Sequence, residues 1–237
     1  MSGIITGYIC LLCFCILLLK ALTRKAGLRK ADRFIMKLHK PASGILLIGS
    51  AVHMMLVFPV LRMRNIAVLV TGICAAATYL LLIVFCHNGG FQIISKNLNT
   101  NVSNPAAYKL QLHRVMSFIM LVCIAAHILF YYLDFENYNN RIACIRLQGV
   151  DTSQMEDGIY IGEYDAGYIY AQVSVTVSDG LITDIRLLEH RHQRGKNAEQ
   201  IIQNIITSQR TDIDAVSGAT NSSLVIEKAV ENALDAN

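Results

Sequence analysis

Four long apolar runs constrain the fold of this chain more than any other feature of its sequence. They cover residues 4–22, 41–61, 66–86 and 113–133. A helix of about 20 apolar residues spans the hydrocarbon core of a bilayer, so each run predicts a transmembrane helix. The chain is 54% hydrophobic and only 16% charged, which excludes an ordinary soluble protein.

Charge divides the chain into two parts of opposite sign. Residues 1–134 hold 13 of the 21 Lys and Arg residues, whereas the rest of the chain holds 15 of the 17 Asp and Glu residues. Basic residues beside apolar runs indicate membrane topology, so we expect no nucleic-acid partner. The sequence predicts a four-helix transmembrane domain over residues 1–134, a linker over 135–150 and a water-soluble domain over 151–237.

A cluster of eight basic residues surrounds the connection between the first two apolar runs. Its members are Lys20, Arg24, Lys25, Arg29, Lys30, Arg33, Lys37 and Lys40. The positive-inside rule places this cluster in the cytoplasm and the N-terminus outside. Four crossings then place residues 151–237 outside the cytoplasm and the polar segment 87–112 inside it. We therefore expect a multi-pass protein of the cytoplasmic membrane, in contact with lipid.

Four histidines in or just before the second and fourth apolar runs form two pairs with the same spacing. His39 and His53 are fourteen residues apart, as are His113 and His127. Fourteen residues rise about 21 Å along a helix and return to within about 40° of the same face. Because both runs cross in the same direction, we expect His39 level with His113 and His53 level with His127. Facing imidazoles of this kind can be axial ligands of two haem irons, although histidines can also simply pack a bundle.

This paired spacing resembles the transmembrane core of ferric reductases, NADPH oxidases and related small di-haem b-type cytochromes. The resemblance covers residues 38–133 and rests on the histidine spacing. It implies that the four histidines hold two haem b groups. His87 lies outside the pattern and is interpreted as a loop residue.

The polar part of the chain has the pattern of a small α+β domain. Alternating apolar residues predict strands at 158–164, 168–177 and 181–188, and Asp179-Gly180 predicts a hairpin turn between the last two. Helical patterns follow at residues 197–208 and 222–234. The predicted fold is therefore a membrane α-helical bundle of four transmembrane helices followed by a small α+β domain.

A segment rich in small and hydroxyl-bearing residues lies directly before the last predicted helix. It contains Asp214, Ser217, Gly218, Ala219, Thr220 and Ser222. A glycine-containing turn at a helix N-terminus suits a phosphate, because free N–H groups and the helix dipole both favour an anion there. The alternative is an ordinary helix N-cap, since Ser and Thr are common caps.

The same segment resembles the D-x-x-[ST]-G-A-[ST]-x-[ST] signature of the FMN-binding domain family. That family includes the flavin-carrying subunits of Rnf complexes and of the sodium-pumping NADH:quinone oxidoreductase. The resemblance implies an FMN-binding domain in which a dedicated flavin transferase attaches FMN to Ser222 through a phosphoester bond. Gly167 and Tyr168 match an early Gly-Tyr element of the family, which implies that Tyr168 lies near the flavin.

Four basic residues follow the third predicted strand: His190, Arg191, His192 and Arg194. Two histidines at i and i+2, with no acidic or cysteine partner apparent in the sequence, are a weak indication of a metal site. We therefore expect a solvated basic loop that meets the flavin phosphate or a partner protein.

Together these features predict transmembrane electron transfer through two haems to covalent FMN outside the cytoplasm. The chain has no Rossmann glycine fingerprint, so the electron donor is expected to be a separate dehydrogenase or a membrane quinol. No acid–base group stands out near the flavin, which favours an electron-transfer flavocytochrome, or a component of an oxidoreductase, that reduces an extracytoplasmic acceptor.

Two alternatives remain open. In the first, the exposed flavin itself reduces ferric iron, a quinone or another small acceptor. In the second, the protein is a membrane-tethered flavin-binding module without haem.

Overall fold

A computed structural model describes residues 2–86, 105–192 and 194–235. The chain divides into two compact units, Met1–Arg62 and Met63–Asn237. His87 and most of the predicted cytoplasmic segment lie outside the described residues.

Four long helices are present where the apolar runs predict them. They are α1 (Ser2–Lys25), α2 (Arg29–Val57), α3 (Ile66–Cys86) and α4 (Pro105–Ala143). Among the described residues, these four helices are long and apolar enough to cross a bilayer. Many of their large apolar side chains are exposed, such as Met55 at 75% and Phe118 at 65%. Such a surface suits lipid rather than water, so the chain is a membrane protein.

The first unit is a helical hairpin in which α1 packs against α2. Helix α2 begins at Arg29 rather than near residue 41, and Pro41 lies inside it. Most of the predicted basic cluster is therefore helical. A 3₁₀ turn, Phe58–Met63, follows α2.

The second unit begins with another helical hairpin, in which α3 packs against α4. Helix α4 is 39 residues long and extends beyond the predicted span at both ends. Residues 105–112, predicted as loop, and 135–143, predicted as linker, are therefore helical. The C-terminal extension persists because Tyr138 and Ile142 pack against the core of the following domain, which local sequence does not reveal.

A three-stranded antiparallel sheet follows, in the order β1-β2-β3. Its strands are β1 (Gly158–Asp165), β2 (Tyr170–Ser178) and β3 (Leu181–Arg191). Both residues of the β2–β3 turn, Asp179 and Gly180, have positive φ, as a two-residue hairpin of type I′ requires. The three predicted strands and this turn are confirmed.

Two helices cover one face of the sheet and complete the α+β domain. After a 3₁₀ turn (Lys196–Gln200), they are α5 (Ile201–Ser208) and α6 (Thr220–Asp235). Alternate residues of β2 are fully buried and pack with one face of α6. The α6 side of this core consists of Val225, Ile226, Ala229, Val230 and Ala233.

Two glutamates of α6 are completely buried. Glu231 accepts hydrogen bonds from the backbone N–H groups of Gln148, at 2.6 Å, and Gly149, at 3.0 Å, and pairs with Lys228. It therefore ties the segment after α4 to the last helix. For Glu227, burial raises the carboxyl pKa to about 7, against the opposing effect of the Ile213 backbone N–H.

We expect Glu227→Gln to reduce the pH dependence of stability. In the wild type, the unfolded chain loses this proton near its ordinary pKa, whereas the folded chain keeps it to about pH 7. Stability therefore falls as pH rises through this window, by on the order of 3 kcal/mol, and Gln removes that loss. Thermal unfolding of the detergent-solubilised protein at pH 5 and pH 8 measures the effect. The exposed Glu156→Gln is the control, and an unchanged pH dependence in Glu227→Gln would contradict this expectation.

Candidate functional site

The hydroxyl-rich segment forms a tight turn that leads into α6. The Ala219 N–H donates to the Val216 carbonyl at 3.0 Å, and Gly218 between them has φ +77°. A left-handed residue at this position of a turn favours glycine. The first N–H groups of α6, which begins at Thr220, therefore stand next to an exposed turn and can bind an anion.

Two adjacent serines in the first turn of α6 have different environments. Ser223 Oγ accepts a hydrogen bond from the Val216 N–H at 3.0 Å and donates to the Ala219 carbonyl at 3.2 Å. Ser223 therefore closes the turn. Ser222 is only 2% exposed, and its Oγ forms no hydrogen bond with any residue that the structure describes. Of these two serines, only Ser223 has its hydroxyl held by the turn.

Gly195, in the loop after β3, lies directly against Ser222. A Cβ atom on Gly195 would overlap Ser222 Oγ and would lie 2.6 Å from Ser222 Cβ. Only glycine can therefore occupy this position beside an undisturbed Ser222. Gly195 could not be predicted from the sequence, because its role arises from a contact between segments that are far apart in the chain.

Tyr168 packs against the end of α4. Its side chain is 3% exposed, and its ring stacks on Tyr138 with centroids 4.8 Å apart. The Arg64 guanidinium lies 4.0 Å from the Tyr168 ring centroid, and Tyr168 Oη donates to Asp134 Oδ2 at 2.8 Å. Burial, together with this hydrogen bond, raises the pKa of Tyr168 above its ordinary value. Gly167 precedes it with φ +98°.

Asn221 links the hydroxyl-rich turn to the same aromatic cluster. Its side-chain amide donates to Tyr138 Oη at 2.8 Å. Because Asn221 adjoins Ser222 in the chain, Tyr138 contacts both the turn segment and Tyr168. The turn segment and Tyr168, both predicted from the sequence, thus meet at Tyr138 of α4. Tyr138 itself was not predicted as a site residue. Asp214, Ser217 and Thr220 are exposed on and beside the turn.

His53 is anchored to α1 within the first hairpin. Its Nδ1 lies 2.8 Å from the Gly3 carbonyl oxygen and 3.3 Å from Thr6 Oγ1. Gly7 leaves room for the ring, since a Cβ there would approach His53 Cε1 to 3.2 Å. A carbonyl can only accept, so Nδ1 carries the proton, and in the neutral ring Nε2 has the lone pair.

His127 is anchored to α3 in the same way within the second hairpin. Its Nδ1 lies 2.9 Å from the Val68 carbonyl oxygen and 3.5 Å from Thr71 Oγ1. A Cβ on Gly72 would approach His127 Cε1 to 3.0 Å. A Thr-Gly pair on the preceding helix therefore supports His53 in the first hairpin and His127 in the second.

The signal for this repeated arrangement in the sequence is the recurrence of Thr-Gly at 6–7 and 71–72. His39, which precedes the predicted second run, lies within α2, and His113 lies within α4. The predicted pairing of His39 with His113, and of His53 with His127, joins the two units and stays a prediction.

Comparison with known families identifies the soluble domain. The family model of the FMN-binding domain matches residues 167–235, which include Gly167, Tyr168 and the whole hydroxyl-rich turn. The match supports FMN as the cofactor of this domain and flavin-based electron transfer as its chemistry. It does not extend to the helical hairpins, so their resemblance to ferric reductases stays a prediction. Comparison with curated proteins and with solved structures gave no match.

We expect Gly195→Ala to lower covalent flavin incorporation several-fold when the protein is produced with a flavin transferase. The added methyl group must displace the Ser222 side chain, and overpacking of this kind typically costs about 1–3 kcal/mol. In-gel flavin fluorescence normalised to protein measures the effect. Gly158→Ala is the matched control, because the nearest atom to its Cβ would be 3.6 Å away. Equal fluorescence in the two variants would contradict the expectation.

Proposed function

We propose that this protein transfers electrons across a membrane, through two haem b groups, to FMN attached covalently to Ser222 outside the cytoplasm. The observation that carries the proposal is the FMN-binding domain match at residues 167–235 in a chain whose two hairpins repeat one histidine arrangement. The haems would supply one-electron chemistry, and FMN would supply an exchange of one or two electrons.

The attachment of FMN to Ser222 is supported by the contrast between neighbouring hydroxyls. Ser223 Oγ is held by hydrogen bonds to the turn, whereas Ser222 Oγ has none among the described residues. The N–H groups at the start of α6 stand beside Ser222 and would stabilise the phosphate. The low exposure of Ser222 implies that the Gly195 loop moves aside for the flavin transferase.

The binding of haem is supported by the way in which His53 and His127 are held. A histidine that ligates a metal commonly donates its other N–H to a carbonyl or carboxylate, which fixes the ring and raises the basicity of the ligating nitrogen. Both rings have this support at Nδ1, from Gly3 and Val68 respectively. Nε2 of each ring is therefore the nitrogen that would bind iron, and neutral imidazole suits that role.

Helix α4 provides a direct connection between the proposed haem region and the flavin domain. His127 and Tyr138 lie on this helix, about 16 Å apart along its axis. Tyr138 contacts Asn221, which adjoins Ser222. A continuous helix and a buried aromatic contact would hold the two cofactor sites at a constant separation, as electron transfer requires.

The donor and the acceptor are proposed on chemical grounds. A separate dehydrogenase or a membrane quinol would deliver electrons, and an extracytoplasmic acceptor would take them from FMN. The predicted sidedness rests on the basic cluster around the connection between α1 and α2.

We expect Ser222→Ala to abolish covalent flavin. The methyl side chain has no oxygen with which to form the phosphoester, so the fluorescent band should disappear from a denaturing gel. Ser223→Ala is the matched control. It should retain the band, although loss of its hydrogen bonds should cost about 1 kcal/mol of stability. A fluorescent band in Ser222→Ala, or its loss in a folded Ser223→Ala, would show that the acceptor is a different residue.

We expect His53→Ala and His127→Ala each to lower the reduced-minus-oxidised b-type absorbance of the purified protein by about half, because each removes one axial ligand. His87→Ala, outside the spacing pattern, should leave the spectrum unchanged. Full absorbance in both ligand variants would refute the proposed ligation. Wild-type protein with covalent flavin but no haem absorbance would instead indicate a membrane-tethered flavin module.

A further inference from the structure

Three potential metal ligands meet at the C-terminal end of β3. They are His190 and His192, at the end of the strand, and Glu199 in the 3₁₀ turn that follows. One ligand atom from each residue lies within 4.8 Å of the other two. Glu199 is therefore the acidic partner that the local spacing of the histidines did not reveal. The fold places it beside them.

A solvated basic loop was predicted for these histidines, and the structure contradicts this prediction at His190. The His190 side chain is only 3% exposed, and its Nδ1 lies 3.1 Å from Glu199 Oε1. The ring centroids of His190 and His192 are 4.7 Å apart. The expectation of a solvated loop was wrong at His190 because the 3₁₀ turn covers this end of the strand.

Two ring nitrogens in this cluster have no hydrogen-bond partner among the described residues. His190 Nε2 and His192 Nδ1 are both buried, and neither is bonded to any residue within the described ranges. A buried polar atom without a partner carries a desolvation cost, so two such atoms in adjacent rings suggest that a ligand is missing. A cation bound by one nitrogen of each ring would supply such a ligand.

The donor set of the cluster also favours a cation. A neutral imidazole has one lone pair available for a metal ion. Two neutral imidazoles and one carboxylate form a common ligand set for Zn²⁺ and similar divalent ions.

We propose that His190, His192 and Glu199 form a binding site for a divalent metal ion of the zinc type. Three protein ligands leave a fourth position for water or another small ligand. His192 and Glu199 also flank Gly195 in the chain, the residue that lies against Ser222. A bound ion would therefore restrain both ends of the segment that covers the proposed flavin acceptor. The metal site itself does not depend on haem or flavin binding.

Zn²⁺ binding to the detergent-solubilised full chain tests this proposal. The protein should carry a tag without histidine, and its cysteines should be alkylated, because thiolates bind zinc. Competition with a chromophoric chelator at pH 7.5 should show one site in the wild type. Affinity should fall at least 10-fold in His192→Gln and in Glu199→Gln. These two variants carry the test because His190 is buried and its replacement could disturb folding.

Glu189→Gln is the matched control, since Glu189 lies on β3 but outside the cluster. It should bind Zn²⁺ like the wild type. Zn²⁺ should also raise the melting temperature of the wild type and of Glu189→Gln, but not that of Glu199→Gln. Wild-type affinity in both ligand variants, or no zinc binding by the wild type above the level of those variants, would overturn the proposal. Neither result would bear on flavin attachment or haem content.

Discussion

The contact between Tyr138 and the flavin domain is the interaction on which the second unit depends. Helix α4 extends without interruption from Pro105 to Ala143, and its last turns pack into the core of the α+β domain. Tyr138 stacks on Tyr168 and accepts the Asn221 hydrogen bond. A helix is stiff over this length. The contact therefore lets α4 hold the flavin site in a fixed position.

The two helical hairpins hold a histidine by the same local arrangement. In each, a Thr-Gly pair on the first helix faces a histidine on the second, and a backbone carbonyl accepts the Nδ1 proton. An imidazole among apolar side chains needs such a partner, since an unpaired polar group in the bilayer interior is costly. The same bond selects the tautomer, so that Nε2 carries the lone pair of the neutral ring.

The sequence predicted the elements more accurately than their ends. The four apolar helices, the three strands and the Asp179-Gly180 turn are confirmed, because periodicity and turn chemistry are local properties. Both ends of α4 were misplaced, and its C-terminal extension is stabilised by the packing of Tyr138 and Ile142. Gly195 and Glu199 were missed for a related reason: each acquires its role from a residue that only the fold brings near it.

The sequence alone determined that this is a membrane protein with an FMN-binding domain. Hydropathy and a nine-residue motif are local properties that can be read from the order of residues. Tertiary structure decided that the Ser223 hydroxyl is held by hydrogen bonds, and it decided how His53 and His127 are oriented. It also decided that His190 and His192 have an acidic neighbour. These properties depend on distances between separate segments, which a linear pattern does not contain.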